Sequence, residues 1–429
     1  MLSFIWGIHP TYNKLTKKSK IEVAELPKKV ILPLSQHTGA PCAPLVNISD
    51  KVTVGQKIAE SDKPVSSPIH ASISGIVREI SIQPHPVLNK CKAIVIEQQG
   101  NQELNLKKRE DIDALEKEDL LKIIKEAGIV GLGGAAFPTH IKLNPPKNKP
   151  IDTIIINGAE CEPYLTCDHR VMLEHQEEII DGLLIMKKIL KAKNLIIAIE
   201  DNKENAAQFL KNKLLEKDLD KKITIEVIPT IYPQGAEKTL IYTVTKRKVP
   251  SGGLPMDIGC VVSNVQTAKA IFEAVYYNKP LIERVITITG AISQPKNILV
   301  RIGTPYNELI QLPEDTGKII SGGPMMGIAQ YTDEVPVIKG TSGILIQKKK
   351  DIITEDSKDC IRCSRCVDAC PMELMPNLIT RYTKNNMIDQ AKNFYPLDCF
   401  ECGACSYVCP SKIPLVHWIK TAKKELMKK

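Results

Sequence analysis

Between Cys360 and Pro410, eight of the chain's thirteen cysteines repeat one pattern twice. Cys360, Cys363, Cys366 and Cys370 precede Pro371, and Cys399, Cys402, Cys405 and Cys409 precede Pro410. Each copy reads C-x2-C-x2-C-x3-C-P, a spacing in which one tight loop offers three thiolates to a [4Fe–4S] cube while the fourth crosses to a second cube. Cys360, Cys363, Cys366 and Cys409 are therefore assigned to one cluster, and Cys399, Cys402, Cys405 and Cys370 to its neighbour. The proline ends each loop where no backbone N–H is needed. Zinc fits the pattern poorly, because it closes its shell with four ligands, usually two separated C-x2-C pairs, and has no use for the third regularly spaced cysteine. Between the runs, Leu374, Leu378, Ile379, Tyr382, Met387, Ile388 and Ala391 recur at helical spacing, which predicts a helical pair and a mostly helical dicluster domain. Such clusters carry single electrons, so the preceding residues must supply or take them.

The chain has 429 residues, enough for several domains with real cores. No apolar run approaches the ~20 residues that span a bilayer. The opening MLSFIWGIHP lacks a basic stretch and a small-residue cleavage site, so no signal peptide is expected. Cluster ligation needs reduced thiols, which points to the cytoplasm or its membrane face. A net charge of +9 raises the question of nucleic acid, but the lysines are scattered, aromatics are only 4%, and no base-reading motif occurs. No nucleic-acid partner is expected, and a solvated lysine-rich surface accounts for the charge.

Residues 28–99 read as short strands and turns, with Val30, Ile31, Leu32 and Leu34, then Val52, Val54 and Ile58, then Ile73, Ile76, Val77 and Ile80. V-x-V-G-Q-x-I followed by P-x-x-A-x-x-S-G-x-V looks like a lipoyl-type barrel-sandwich. Lys63 imitates a lipoyl lysine, but Pro64 and Ser66-Ser67-Pro68 follow where a hairpin would continue, so lipoylation is not expected. A helix over Leu115–Ala127 leads into Gly128-Ile129-Val130-Gly131-Leu132-Gly133-Gly134-Ala135-Ala136-Phe137-Pro138-Thr139. This loop matches neither a Walker A nor a Rossmann fingerprint, yet glycines of this kind let backbone N–H groups approach a phosphate or a flat ring. The strand Ile151–Ile156 then ends in polar Asn157-Gly158-Ala159-Glu160-Cys161-Glu162, and open α/β sheets bind ligands just past such strand ends. A helix over Val171–Leu190, a strand over Leu195–Glu200, a helix over Asn202–Leu215 and a strand over Ile223–Ile228 complete a doubly wound α/β pattern. Cys161 and Cys167 bracket the loop as ordinary thiols. From Arg284 to Leu345, strands around Ser321-Gly322-Gly323-Pro324-Met325-Met326-Gly327 predict a small β-grasp module.

GIVGLGGAAFPTHIKL, NGAECEPYLTCDHR, PQGAEKTLIYTV, SNVQT, ITITGAISQP and SGGPMMG, in this order with the two cysteine runs, closely resemble the C subunit of the Rnf electron-transport complex over nearly the whole length. The middle is also similar to the NADH-binding flavoprotein of respiratory complex I. The resemblance implies four domains: a barrel-sandwich hybrid at 1–100, an FMN/NADH-binding α/β domain at 112–275, an SLBB-like β-grasp at 281–346 and a ferredoxin-type dicluster domain at 352–429. It implies an FMN and NAD(H) site at Gly131, Gly133, Gly134 and Lys142, with Phe137 stacking on the nucleotide. The same site would include Asn157, Glu160, Glu162, Gly235, Glu237, Asn264 and Thr267. Ala136 stands where relatives usually carry Gly, Gln266 replaces an acid or Gly, and Leu143-Asn144-Pro145 lacks a second aromatic clamp.

The implied activity is NADH-dependent oxidoreduction within an ion-translocating complex, with electrons passing between NAD(H), FMN and two [4Fe–4S] clusters. A flavin is needed because hydride carries two electrons and a cluster takes one. The implied setting is the cytoplasmic side of the cell inner membrane, bound to integral and ferredoxin-like Rnf subunits, with a ferredoxin as indirect electron carrier. A soluble diaphorase subunit of another NAD-linked complex is the alternative. A non-redox ligand-binding module would be colourless, and the cysteine runs argue against it. The terminal Leu415, Trp418, Ile419, Ala422 and Leu426 predict an amphipathic closing helix, whose lysines at 420, 423, 424, 428 and 429 are candidates for contact with anionic lipid or an acidic partner.

Overall fold

The computed structural model describes residues 7–352 and 354–428. Met1–Trp6, the start of the stretch read for a signal peptide, lie outside the described residues. The first strand, β1 (Ile21–Val23), leaves its own region to join a distant sheet. Next come β2 (Lys29–Pro33), β3 (Ala43–Pro44), β4 (Lys51–Val52), β5 (Lys57–Glu60), β6 (Ile69–His70), β7 (Gly75–His85) and β8 (Asn89–Gln98). They form two antiparallel sheets, ordered β2-β8-β7-β4 and β3-β5-β6. Val30, Leu32, Ile58, Ile69, Ile73 and Ile94 are buried between them, which is the barrel-sandwich the alternating apolar residues predict. Lys63 is exposed on the bend after β5.

The α/β domain opens with α1 (Lys117–Glu126), where Glu116 and Asp119 satisfy first-turn amides reciprocally while Leu120 and Ile124 face the core. After α2 (Thr139–Lys142) come β9 (Thr153–Gly158), α3 (Cys167–Glu174), α4 (Gln176–Leu190), β10 (Asn194–Glu200), α5 (Glu204–Glu216) and β11 (Ile223–Ile228). They are followed by α6 (Glu237–Thr245), β12 (Cys260–Asn264) and α7 (Val265–Tyr277). All pairings in the sheet are parallel, and its order is β11-β10-β9-β12. Ile154, Ile155 and Ile156 are fully buried in succession, as expected of a strand with both faces covered. The helix predicted over Val171–Leu190 is two helices, with His175 leaving helical geometry at φ −136° between α3 and α4. Apolar spacing runs through the break, so periodicity gave no sign of it.

The third unit consists of β13 (Glu283–Gly290), β14 (Lys296–Arg301), β15 (Thr316–Ser321), β16 (Ile328–Gln330) and β17 (Gly343–Lys348). With β1 they make a six-stranded sheet ordered β1-β14-β13-β17-β15-β16. The dicluster domain contains α8 (Arg365–Asp368), α9 (Pro376–Lys384), α10 (Ile388–Lys392), α11 (Ala404–Tyr407) and α12 (Leu415–Lys428). The helical pair predicted between the cysteine runs is α9 and α10. Leu374, Ile379, Leu415, Ile419 and Ala422 form the apolar core of this domain.

The domains are joined by buried polar contacts. The Lys339 ammonium, 1% exposed, donates to the carbonyls of Pro68 and Gly128 at 2.7 Å each, so one amine ties the β-grasp to both preceding domains. Burial lowers that amine to about 7.

Candidate functional site

In the order β11-β10-β9-β12 the chain direction of growth reverses between β9 and β12, and their carboxyl ends carry Asn157 and Asn264 as register partners. A crevice at such a switch point is where open parallel sheets take ligands. Asn264 caps α7 by accepting the Gln266 amide at 2.8 Å, a cap that stabilises a helix by about 1 kcal/mol. Its amide nitrogen donates to Asp168 Oδ2 at 2.6 Å, and Gln266 Nε2 donates to Asp168 Oδ1 at 2.8 Å. Asp168 is thus a hub that the sequence reading did not single out, although it stands inside the NGAECEPYLTCDHR motif. Burial first, then the nearby Glu160 charge, raise its carboxyl to about 6.

The glycine loop arches beside this crevice and is fastened from behind. Leu132 N–H donates to Thr267 Oγ1 at 2.9 Å, and the buried Arg284 guanidinium donates to the Leu132 carbonyl at 3.1 Å. Thr38 of the barrel-sandwich reaches the carbonyls of Ala135 and Ala136 at 2.7 and 3.2 Å. The opposite side is open. Gly133 and Gly134 are exposed, a Cβ on Gly134 would meet nothing within 4 Å, and among the described residues neither amide has a well-aligned protein acceptor. Gly131 N–H bonds the Phe137 carbonyl at 2.9 Å, closing the loop with Phe137 half-buried at its end. This free-amide cradle fits a phosphate or a flavin edge. Ala136 sits at φ +49°, in the region that favours glycine.

Lys142 Nζ contacts Glu237 Oε1 and the Val262 carbonyl, both at 2.7 Å. Asn157 Nδ2 donates to the Gly235 carbonyl at 2.8 Å. A Cβ at Gly235 would come within 2.3 Å of the Ala159 carbonyl, so this close approach requires glycine. The two acids do different work. Glu160 accepts the amides of Asp168 and His169 at 2.9 and 3.2 Å, capping the positive end of α3. Glu162 accepts the amides of Met325 and Met326 at 3.2 and 2.7 Å, holding the β-grasp turn, and burial raises its carboxyl to about 7. Ligand atoms of Glu160, Cys167 and Asp168 lie within 4.8 Å of one another, but these oxygens are already occupied by the helix cap and by Asn264 and Gln266. The loop itself is threaded by Lys14, whose buried ammonium donates to the carbonyls of Glu160, Glu162 and Leu165 at 2.7, 2.8 and 2.7 Å.

The cysteine runs fold as structural repeats. Arg362, Ser364 and Glu373 have positive φ, and so do Glu401, Gly403 and Lys412 at the equivalent positions of the second copy. One small cavity is lined by Cys360, Cys363, Cys366 and Cys409 together with Ile413 and Leu415, which is the crossed ligand set derived from spacing. Cys370 faces all three of Cys399, Cys402 and Cys405, and Cys366 of the other set also lies near Cys405. Burial raises the Cys402 thiol to about 12, so without a positive centre these sulfurs would hold their protons. Four convergent sulfurs with an apolar lining fit an iron–sulfur cube. Tyr232, fully buried, donates its hydroxyl to the Cys402 carbonyl at 2.6 Å. Of the terminal lysines, Lys423 binds the Cys399 carbonyl at 2.8 Å and Glu401 at 2.6 Å, and Lys420 reaches Glu401 at 3.3 Å.

Three family descriptions match along the chain: an RnfC barrel sandwich hybrid domain over residues 2–101, a Nuo51 FMN-binding domain over 124–273 and a 4Fe-4S dicluster domain over 352–410. The C subunit of the proton-translocating ferredoxin:NAD(+) oxidoreductase complex of Clostridium ljungdahlii is 48% identical, over 99% of this chain and 94% of that protein. The chain belongs to the RnfC family of ion-translocating oxidoreductase complexes. The C subunit of the Na(+)-translocating ferredoxin:NAD(+) oxidoreductase complex of Acetobacterium woodii is 42% identical, over 99% of this chain and 97% of that protein. Among solved structures, a chain of an NAD+-reducing [NiFe]-hydrogenase overlays with a TM-score of 0.48 at 16% identity, covering 73% of this chain and 61% of that one. As an RnfC protein, this chain is one oxidoreductase component of a larger assembly, with an FMN-binding domain and a [4Fe–4S] dicluster domain.

Proposed function

We propose that this chain exchanges electrons with NAD(H) at the β9/β12 crevice and relays them through the two cysteine sets to the other subunits of a membrane-bound ion-translocating complex. Bound FMN would convert between a hydride and single electrons. The amides of Gly133 and Gly134 would bind its phosphate or ring edge, with Gly131 and Phe137 shaping the loop. Lys142, steered by Glu237, would add positive charge, and Asn157, Gly235, Asn264 and Thr267 would hold the strand ends and loop in place. Glu160 and Glu162 would act at one remove, by fixing α3 and the β-grasp turn. The observation that carries this reading is one continuous loop. Residues 232–237 contact Asn157 and Lys142 at one end and the Cys402 carbonyl at the other, so the crevice and a cysteine set share one rigid wall.

Among the described residues no helix is long and apolar enough to cross a membrane. Integral and ferredoxin-like partner subunits would hold it at the cytoplasmic side of the inner membrane. The test is anaerobic purification of the full chain with flavin and iron analysis, followed by NADH titration read by visible absorbance and paramagnetic resonance. FMN, iron and sulfide for two clusters, and NADH-dependent bleaching are expected. A colourless protein, or iron that NADH leaves oxidised, would overturn the reading.

A further inference from the structure

The two cysteine runs are repeats, yet only one of them is covered. In the second run the flavin domain receives Asp398 through the Gly252 amide at 3.0 Å, the Ser251 hydroxyl and Lys238 Nζ at 3.8 Å. Phe400 and Ala404 pack with Cys402 against Ile8, Cys161, Tyr232 and Met325. Glu401 is neutralised by Lys420 and Lys423. The equivalent residues of the first run, Asp359, Ile361, Arg362 and Arg365, are all exposed. Ile361, the counterpart of half-buried Phe400, is 67% exposed. Among the described residues the side chains of Asp359, Arg362 and Arg365 make no ion pair or hydrogen bond. Cys360 and Cys363 are exposed as well, whereas their counterparts Cys399 and Cys402 are half-buried and buried.

We infer that the open face of the first run, centred on Ile361, is the docking surface for a separate redox protein with an acidic contact face, seated there much as the flavin domain is seated on the second run. This rests on the reading that the cysteines hold clusters. A cluster edge at the surface can exchange electrons only by close contact, and the flavin domain already occupies the other face. The lip at residues 358–365, with Lys412 beside it, carries Lys358, Arg362, Arg365 and Lys412 against the single carboxylate of Asp359. Glu355 and Asp356 lie upstream and Asp368 lies at the far end of α8. A basic lip around one apolar residue suits the small, charge-steered contacts of electron-transfer partners.

The test uses the reconstituted full chain and, as probe, a reduced acidic two-[4Fe–4S] ferredoxin freed of reductant. One electron would leave the reduced probe, oxidising it, and would reduce the [4Fe–4S] cluster that the outer cysteine set would hold, with no bond made or broken. R362E/R365E is expected to slow this transfer about tenfold or more at low salt while iron content and the NADH-reduced spectrum stay unchanged. K90E/K92E, on β8 of the barrel-sandwich, is expected to leave it within about twofold. Carbodiimide cross-links from probe carboxylates should fall on Lys358 or Lys412 of the wild-type chain. Transfer by R362E/R365E within about twofold of wild type, or cross-links absent from both lysines, would overturn the proposal. Loss of binding to phosphatidylglycerol vesicles with unchanged transfer would also overturn it, assigning the lip to lipid instead. If the reversal variant loses iron, R362Q/R365Q and the wild-type cross-link map decide. A wild-type chain without iron would sink the cluster reading itself, which the iron assay distinguishes from a docking failure.

Discussion

Lys14→Met tests whether one buried ammonium organises the loop between the flavin crevice and the β-grasp. The wild-type side chain donates to three carbonyls, those of Glu160, Glu162 and Leu165, at 2.7 to 2.8 Å. Methionine fills similar space and donates nothing. Each buried carbonyl left without a partner costs about 1–3 kcal/mol, so the three together would cost about 3–9 kcal/mol. Against this, burial and the neighbouring Lys203 charge lower the Lys14 pKa, so the ammonium itself is held at a cost that methionine removes. The lower end of the range, about 3 kcal/mol, is therefore the expected net loss. At about 1.4 kcal/mol per factor of ten, opening of the loop becomes on the order of a hundredfold more frequent. Hydrogen-exchange mass spectrometry on peptides spanning 157–170 reads this directly. Glu160's cap on α3 and Glu162's hold on Met325 and Met326 should loosen together, with faster exchange at 325–327 as well. Exchange within about threefold of wild type in both regions, a change worth under 1 kcal/mol, would refute the argument that this ammonium holds the loop.

Lys339→Met should remove a pH dependence. The unfolded chain keeps that proton up to about 10.5 and the folded chain releases it near 7, so wild-type stability rises with pH between these values by as much as about 5 kcal/mol. The penalty of the buried charge is full below pH 7, and urea unfolding of the variant should lack the rise. Cys370→Ala should damage the cluster of Cys399, Cys402 and Cys405, and paramagnetic resonance showing loss confined to the Cys360 set would refute crossed ligation. Asn157→Ala combined with Lys142→Ala should release FMN while iron content stays near wild type. Full flavin retention would count against this crevice.

The cysteine sets and the helical pair between them could be read from the sequence because they are local. A three-residue ligand spacing and an apolar period of about 3.6 are properties of one short segment, although the fold brings Cys409 of the second run to the cavity of Cys360, Cys363 and Cys366. The strand expected over Ile151–Ile156 was equally plain, because Ile154, Ile155 and Ile156 form the unbroken apolar run of a parallel strand covered on both faces. The break at His175 was not, because apolar spacing continues across it. Nothing local distinguishes Lys14 or Lys339 from the solvated lysines around them. Their burial depends on carbonyls supplied from 146 to 271 positions away. Of the terminal lysines read as candidates for a membrane or partner contact, the fold draws Lys423 in to Glu401, Lys420 stays exposed beside the same carboxylate, and Lys429 lies outside the described residues. Tyr232 meets Cys402 across 170 positions, and only the packing of two domains could place that hydroxyl. A ligand spacing is fixed by the geometry of a few consecutive peptide units, whereas the partner of a buried polar group is fixed by whichever distant backbone the whole fold brings against it.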